Sequence, residues 1–388
     1  MSYYEYHVSR RYVQFPGAIR ELPRYAASIG KKLLILIGSI PEIVEPQIEA
    51  AMEASCREQL NDAVRASSSR YAAFYQTAEH FDLLRKGMAY ELYEIIDWIP
   101  SARNIQKIAD HVKSGGFDTV VGIGGGRTMD IARGITRFTP AHVILVPTLA
   151  ATNATISTLS VIYSDDGSVI EAYWRMDNAP DLTLVDTDIL LRNSPQALTA
   201  GIADIICTYL EGLCNLELGN IRSEYPVFSY EGLQLALQIM HRCAPGAIQA
   251  VRNGQLNPDF ENILSMIMHN CGPLWTACSM GLAHALDEVL LYFPQTHKQP
   301  HGLRVGFASI PMLAFAGKRA DEISHYTDFC TRLGIPTTLR DFGLEDVSPA
   351  LWKAAAEQTI GRRHTLEQLP YKVTFEEVLP YLLAYSGS

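Results

Sequence analysis

Positive charge is scarce in this chain: 32 Lys and Arg stand against 42 Asp and Glu, a formal net charge of −10. Binding a phosphate backbone needs the opposite balance, so nucleic acid is excluded as a partner. The basic pairs Arg10-Arg11, Lys31-Lys32 and Arg362-Arg363 are scattered and read as solvated surface. Long apolar runs are missing too. No window approaches a membrane-spanning length and Met1–His7 has no apolar signal core, so no membrane is expected and the cytoplasm is the default. The seven cysteines contain no C-x-x-C pair. Cys207/Cys214 and Cys271/Cys278 are each seven apart, so each pair shares a helix face. They read as small core residues in a reducing compartment, not as disulfides or a zinc cluster. Repeats and low-complexity linkers are also absent.

What remains is an ordinary globular composition, 48% hydrophobic and 19% charged over 388 residues, enough for two domains. The first half alternates strand-like and helix-like segments. Leu33–Gly38, Glu91–Ile99, Thr119–Gly122, Ala141–Val146 and Leu182–Val185 read as strands; Asn104–Lys113 and a stretch from Glu42 read as helices. Leu159–Tyr163 and Ser168–Tyr173 flank Asp165-Asp166-Gly167 as a hairpin would. After Asn193 strand signals stop. Helical spacing then runs through Gln196–Leu213, Glu231–Cys243, Asn262–Leu291, Arg304–Gly317, Ala320–Leu333, Pro349–Ile360 and Phe375–Ala384. The expectation is an α/β N-terminal domain with a parallel Rossmann-like sheet (1–193) and an all-α C-terminal domain (194–388). The long connection 42–90 reads as an extra helical hairpin interrupted at Ser67-Ser68-Ser69, with no chemical role.

The richest stretch is Asp118–Asp130, where a buried strand runs through Gly124-Gly125-Gly126 into a helix. Glycines there leave bare backbone N–H groups at a helix N-terminus, and no Cβ stands in the way of a phosphate. The turn reads as a diphosphate cradle. In the helical half, Asp204 interrupts an apolar turn, His284 lies among Ala and Leu, and His301 precedes Gly302 at the start of a helical pattern. One carboxylate and two imidazoles leave a coordination position open, as catalytic zinc requires, and the same set suits ferrous iron. His297, four residues before His301, is a competing ligand.

Together these motifs resemble the iron-containing (group III) alcohol dehydrogenase superfamily, most closely its glycerol dehydrogenase-like branch. Gly124-Gly125-Gly126-Arg127-x-x-Asp130 is similar to the family's G-G-G-K-x-x-D turn. Pro147–Ala154 followed by Ser157–Tyr163 is similar to its P-T-x-A-S-T-D-A…S-x-L-S-V-I-Y segment. Gly201-Ile202-Ala203-Asp204, Ala283-His284-Ala285 and His301-Gly302 match its G-I-x-D and A-H-A…H-G elements. The resemblance implies a dehydroquinate synthase-like architecture, with a divalent metal on Asp204, His284 and His301 between a nucleotide domain and a helical domain. It places NAD or NADP on Gly124, Gly125, Gly126, Arg127, Thr128 and Asp130, with nicotinamide contacts from Thr148, Ser157, Leu159 and Tyr163. The metal is zinc, with iron as the alternative, and homo-oligomers are common in the family.

Four departures bear on the substrate. Arg127 replaces the turn's lysine, Asn153 the aspartate beside the bound polyol, and Asp287 a second histidine after the first ligand; H-G-E-K becomes His301-Gly302-Leu303-Arg304. A neutral amide at Asn153 removes a negative charge, which suits a 2-hydroxy acid or a phosphorylated alcohol better than glycerol. The first strand ends Gly38-Ser39 with no carboxylate, so Ser39 admits NADP as well as NAD. The resulting expectation is reversible hydride transfer between a nicotinamide and a small alcohol, polyol or 2-hydroxy acid, with Asn153 orienting the substrate. Alternatives are a glycerol-1-phosphate dehydrogenase-like enzyme, a sugar-phosphate cyclase of the dehydroquinate synthase kind, for which Arg304 and Lys298 supply the cations, and a nucleotide-binding protein without catalysis.

Overall fold

Strands covered by helices on both faces stay apolar at nearly every position, and the short Val-, Ile- and Leu-rich runs of the first half fold that way. The structure, a computed structural model, describes residues 9–55, 88–94, 98–155, 157–270 and 281–387. Contacts divide these residues into two compact units, 9–149 with 154–192 and 150–153 with 193–387. Residues 150–153 thus leave the sheet-bearing unit that surrounds them in sequence.

The first unit holds β1 (Tyr12–Phe15), β2 (Lys32–Ile37), β3 (Ala89–Glu94), β4 (Thr119–Gly124), β5 (His142–Pro147), β6 (Leu159–Tyr163), β7 (Ile170–Arg175) and β8 (Leu182–Asp186). Six of them form one sheet in the order β1-β8-β5-β4-β2-β3, parallel at every pairing. The remaining two, β6 and β7, form the antiparallel hairpin expected around Asp165-Asp166-Gly167. β1, which the sequence pattern does not mark, closes one edge. The expected strand 91–99 begins at Ala89 instead, and 95–97 lie outside the described residues.

Alternate residues of β2 point to opposite faces. Leu33, Ile35 and Ile37 pack with Val44 and Ile48 of α2 (Pro41–Ser55). Leu34 and Leu36 pack with Ile105 and Ile108 of α3 (Ala102–Gly115) and Met129 and Ile131 of α4 (Gly126–Gly134). The helices after β2 and β4 therefore cover opposite faces, and strand order reverses between these neighbours. The crevice beyond the carboxyl ends of such a pair is where open α/β sheets bind ligands. Gly38-Ser39 and Gly124-Gly125 lie on its two sides.

The second unit, among its described residues, contains helices and no strand. They are α5 (Pro195–Leu218), α6 (Val227–Asn253), α7 (Pro258–Ser265), α8 (Leu282–Leu290), α9 (His301–Phe315), α10 (Ala320–Leu333), α11 (Pro349–Ala356) and α12 (Phe375–Leu383). Ser194 caps α5 by accepting from Ala197 N, and Pro195 fits its first turn. Contrary to the expectation of no span-length apolar segment, α5 is long and apolar enough to cross a membrane by length and composition, yet most of it is buried as core. The helix read over Asn262–Leu291 is interrupted: α7 passes into a π turn, Met266–Asn270, and α8 starts afresh. Cys271, Cys278 and the interrupted hairpin around Ser67–Ser69 fall outside the described residues.

Candidate active site

Three helices of the second unit converge because one of them is stripped of side chains where it meets another. A Cβ on Gly302 would lie 1.9 Å from the carbonyl oxygen of Ala200, and one on Gly306 would lie 3.0 Å from the Ala203 Cβ. Glycines at these two positions let α9 ride directly on α5, and that crossing brings His301 to Asp204. Gly201 plays the same part for residues 150–153: its Cβ would lie 2.0 Å from the oxygen of Ala150. The half-buried Asn153 therefore belongs to the unit that carries Asp204.

Asp204, His284 and His301 each offer a donor atom within 4.8 Å of the others. The Nε2 atoms of both histidines stand 3.6 Å from the same oxygen, Asp204 Oδ1. That distance is too long for a hydrogen bond. It suits donors sharing one ion, since bonds of about 2.0–2.2 Å separate neighbouring ligands by some 3–4 Å. The donor set and spacing therefore fit a divalent metal. Burial grades across the site: the side chains of Asp204, His284 and His301 are 3%, 11% and 39% exposed. The open side lies at His301. His297 has a different partner, the carbonyl of Leu291 at 2.9 Å, and is not in the cluster.

Each imidazole is held from behind by a carboxylate. Glu211, buried on α5, takes the backbone N–H of His284 at 2.8 Å with Oε1 and its Nδ1 at 2.7 Å with Oε2. Asp287 Oδ2 lies 2.8 Å from His301 Nδ1, and Arg304 donates to the other oxygen. Both Nε2 atoms are thereby freed to ligate. Burial works against charge on His284, but the Glu211 carboxylate overrides it and holds the imidazole well above its ordinary value. Burial likewise opposes ionisation of Asp287, yet His301 and Arg304 draw its carboxyl down to about 2. A second cluster, Cys207, Glu211 and His284, shares that histidine. Burial and the neighbouring Glu211 push the Cys207 thiol up to about 12.

Glu211 escaped the sequence reading. Its signal was there: it follows Asp204 by seven residues, two helical turns, and puts a second charge on one apolar face.

In the first unit, Gly125 N-caps α4 with no side-chain cap, leaving the first amides of that helix without one. A Cβ on Gly125 would meet nothing closer than 3.8 Å, so the protein itself leaves room above this turn. Gly124 and Gly38 are different. Their Cβ atoms would lie 2.3 and 1.9 Å from Thr128 Oγ1, which is buried beneath both strand ends. Thr128 thus supports the turn from below, and Ser39 and Thr148 join their hydroxyls at 2.6 Å beside it. Asp130 is turned inward to Arg133 at 2.9 Å, and Arg133 also donates to the carbonyls of Leu159 and Ala154. This buried pair ties the turn's helix to the segment bearing Ser157, Leu159 and Tyr163. Ser157 Oγ accepts from Leu159 N at 2.9 Å, and the Arg127 guanidinium sits 5.3 Å from the centre of the Tyr163 ring.

The chain is similar to known proteins over most of its length. Residues 67–187 match the family model for iron-containing alcohol dehydrogenase. The chain is 30% identical over 267 residues to a glycerol dehydrogenase of Thermotoga maritima, covering 67% of this chain and 72% of that protein. It is 26% identical to a glycolaldehyde reductase of Halobacterium salinarum, covering 71% and 76%. Among solved structures, a probable glycerol dehydrogenase from Sinorhizobium meliloti superposes with a TM-score of 0.80 over 99% of both chains at 24% identity.

Proposed function

This chain belongs to the iron-containing alcohol dehydrogenase superfamily, in its glycerol dehydrogenase-like branch, and we propose how its residues divide the reaction. It is a metal-dependent, NAD-linked oxidoreductase acting on the CH–OH group of a small polyol or hydroxy acid. The observation that carries the metal assignment is the pair of Nε2 atoms, each 3.6 Å from Asp204 Oδ1. When bound there, a divalent ion supplies Lewis acidity toward the substrate oxygen, and the nicotinamide supplies the hydride acceptor.

Asp204, His284 and His301 would hold the ion, zinc in this reading, with ferrous iron the alternative that the same donor set suits. The exposed flank of His301 is the side from which substrate arrives. Asn153 orients a polar group of the substrate, and its neutral amide admits a carboxylate where an aspartate would repel one. Glu211 and Asp287 are both committed to ligand imidazoles, so neither takes the substrate proton, which leaves through solvent beside His301. The amides after Gly124 hold the diphosphate, with Arg127 at its rim. No carboxylate follows Gly38-Ser39, and that turn accepts NAD or NADP. Arg304, the cation on which the cyclase alternative leans, is buried against Asp287 and the carbonyl of Gln299 and is not open to a substrate phosphate.

The test is oxidation of NADH and of NADPH against ketones, 2-oxo acids and hydroxyacetone, before and after chelation, with metal content measured by elemental analysis. Turnover of one of these carbonyls that is lost on chelation and restored by zinc supports the reading. Undiminished turnover in the metal-free protein would remove the role of the three ligands.

A further inference from the structure

The two imidazoles are held to different degrees. His284 is almost enclosed, and Glu211 grips both its ring and its backbone amide. His301 stands at the first residue of α9, over a third exposed, where Pro300 provides no side-chain cap. Its one hydrogen-bonding partner among the described residues is Asp287, three residues beyond the other proposed ligand on α8.

Asp287 is itself fixed on both oxygens. Oδ2 meets His301 Nδ1 at 2.8 Å; Oδ1 meets Arg304 Nε at 2.5 Å, and a second guanidinium nitrogen lies 3.4 Å from Oδ2. Arg304 is anchored in turn on the carbonyl of Gln299. Both side chains are buried, at 5% and 7% exposure. An ion pair this buried presents little charge to solvent. Its effect passes through the imidazole.

We propose that Asp287 and Arg304 form a positioning pair for His301, with Arg304 locking the carboxylate and the carboxylate locking the ring so that Nε2 faces Asp204. The assignment rests on the metal reading above. A ring that keeps Nδ1–H on a carboxylate is a better donor at Nε2 and cannot swing into solvent. Outer-shell partners of this kind are worth about 10- to 100-fold in metal affinity.

The test measures zinc affinity by competition with a chromophoric chelator, using the full-length protein stripped of metal. Asp287→Ala should weaken zinc binding by about 10- to 100-fold while NADH affinity stays within twofold of wild type. It also leaves a buried guanidinium unpaired, so the double variant Asp287→Ala/Arg304→Met is measured beside it. The double variant should regain the melting temperature of the metal-free protein yet keep the weakened zinc affinity, and excess zinc should raise kcat/KM in both variants. Unchanged zinc affinity in Asp287→Ala overturns the proposal. So does a double variant that regains zinc affinity together with melting temperature, because the pair would then serve packing alone. Failure of the wild-type protein to bind zinc at all is a separate result: it overturns the metal reading, and this assignment with it.

Discussion

In the proposed reading the groups offered to a ligand at the end of β4 are backbone amides, whereas on α5, α8 and α9 they are three side chains from three helices. As a diphosphate cradle the β4 turn needs only the absence of something, a Cβ above Gly125. The helical site needs particular atoms in particular places, and a second layer to hold them. Glu211, Asp287 and Arg304 form that layer. A backbone-built site is thus insensitive to most substitutions and sensitive to added bulk. A side-chain-built site is sensitive to every member and to the crossing that brings the members together.

The largest effect should follow from removing a ligand. His301→Ala deletes the most exposed donor, so the fold has least to lose and the chemistry most. Loss of Lewis-acid stabilisation worth several kcal/mol predicts a fall in kcat/KM on the order of 10³-fold. NADH binding, measured by fluorescence titration, should stay near the wild-type value because the cradle lies in the other unit. A variant with wild-type kcat/KM in the presence of chelator would erase the contrast between the two sites.

The helix crossing comes next. Gly302→Ala would push a methyl into the carbonyl of Ala200, a backbone atom that cannot rotate aside. Overpacking of this kind costs about 1–3 kcal/mol, to be read as a lower melting temperature together with weaker zinc binding, since His301 moves with α9. Gly125→Ala sharpens the contrast from the other side. The added methyl meets only Leu149 at ordinary contact distance and the backbone is already extended there, so the melting temperature should not change. It would occupy the space a diphosphate needs, and dinucleotide affinity should fall about tenfold or more, some 1.4 kcal/mol. Equal affinity for the dinucleotide would place the diphosphate elsewhere.

The same contrast explains what could be read from the chain alone. The parallel sheet was legible because burial on both faces writes itself as unbroken apolar runs, and the glycine turn between β4 and α4 because close packing there shows as missing side chains. The three proposed metal ligands stood out as polar residues in apolar turns. The layer behind them did not, because Glu211 meets His284, and Arg304 meets Asp287, only after three helices have packed. Asp287 and Arg304 registered as separate departures from the family motif, and nothing local says that the two side chains pair. β1 was invisible for another reason: a half-buried edge strand of four residues, Tyr12–Phe15, has too little apolar pattern to mark it. The placing of 150–153 with the helical unit is likewise a tertiary fact, made by Gly201 against Ala150.

The smallest effect uses pH, because backbone amides do not titrate in the physiological range and side chains do. His241, on α6, packs its ring 4.4 Å from that of Phe329 and 5.5 Å from that of His325. Burial, with His325 and Arg332 adding like charge, lowers it from 6.5 to about 4. Between those values the unfolded chain binds a proton that the folded one refuses, so stability rises with pH across the window. The contribution is present in full above about pH 6.5 and is lost as pH falls through about 4. Screening of its partly open ring reduces the gain to about 1 kcal/mol. His241→Phe keeps a ring against Phe329 and removes the titration. The melting temperature of the metal-free variant should therefore fall less steeply from pH 6.5 to 4 than that of the metal-free wild type. Hydrogen exchange should place the wild type's added acid lability in α6 and α10 and leave the β4 turn unaffected. Parallel curves for the two proteins would show that His241 is as free to protonate folded as unfolded.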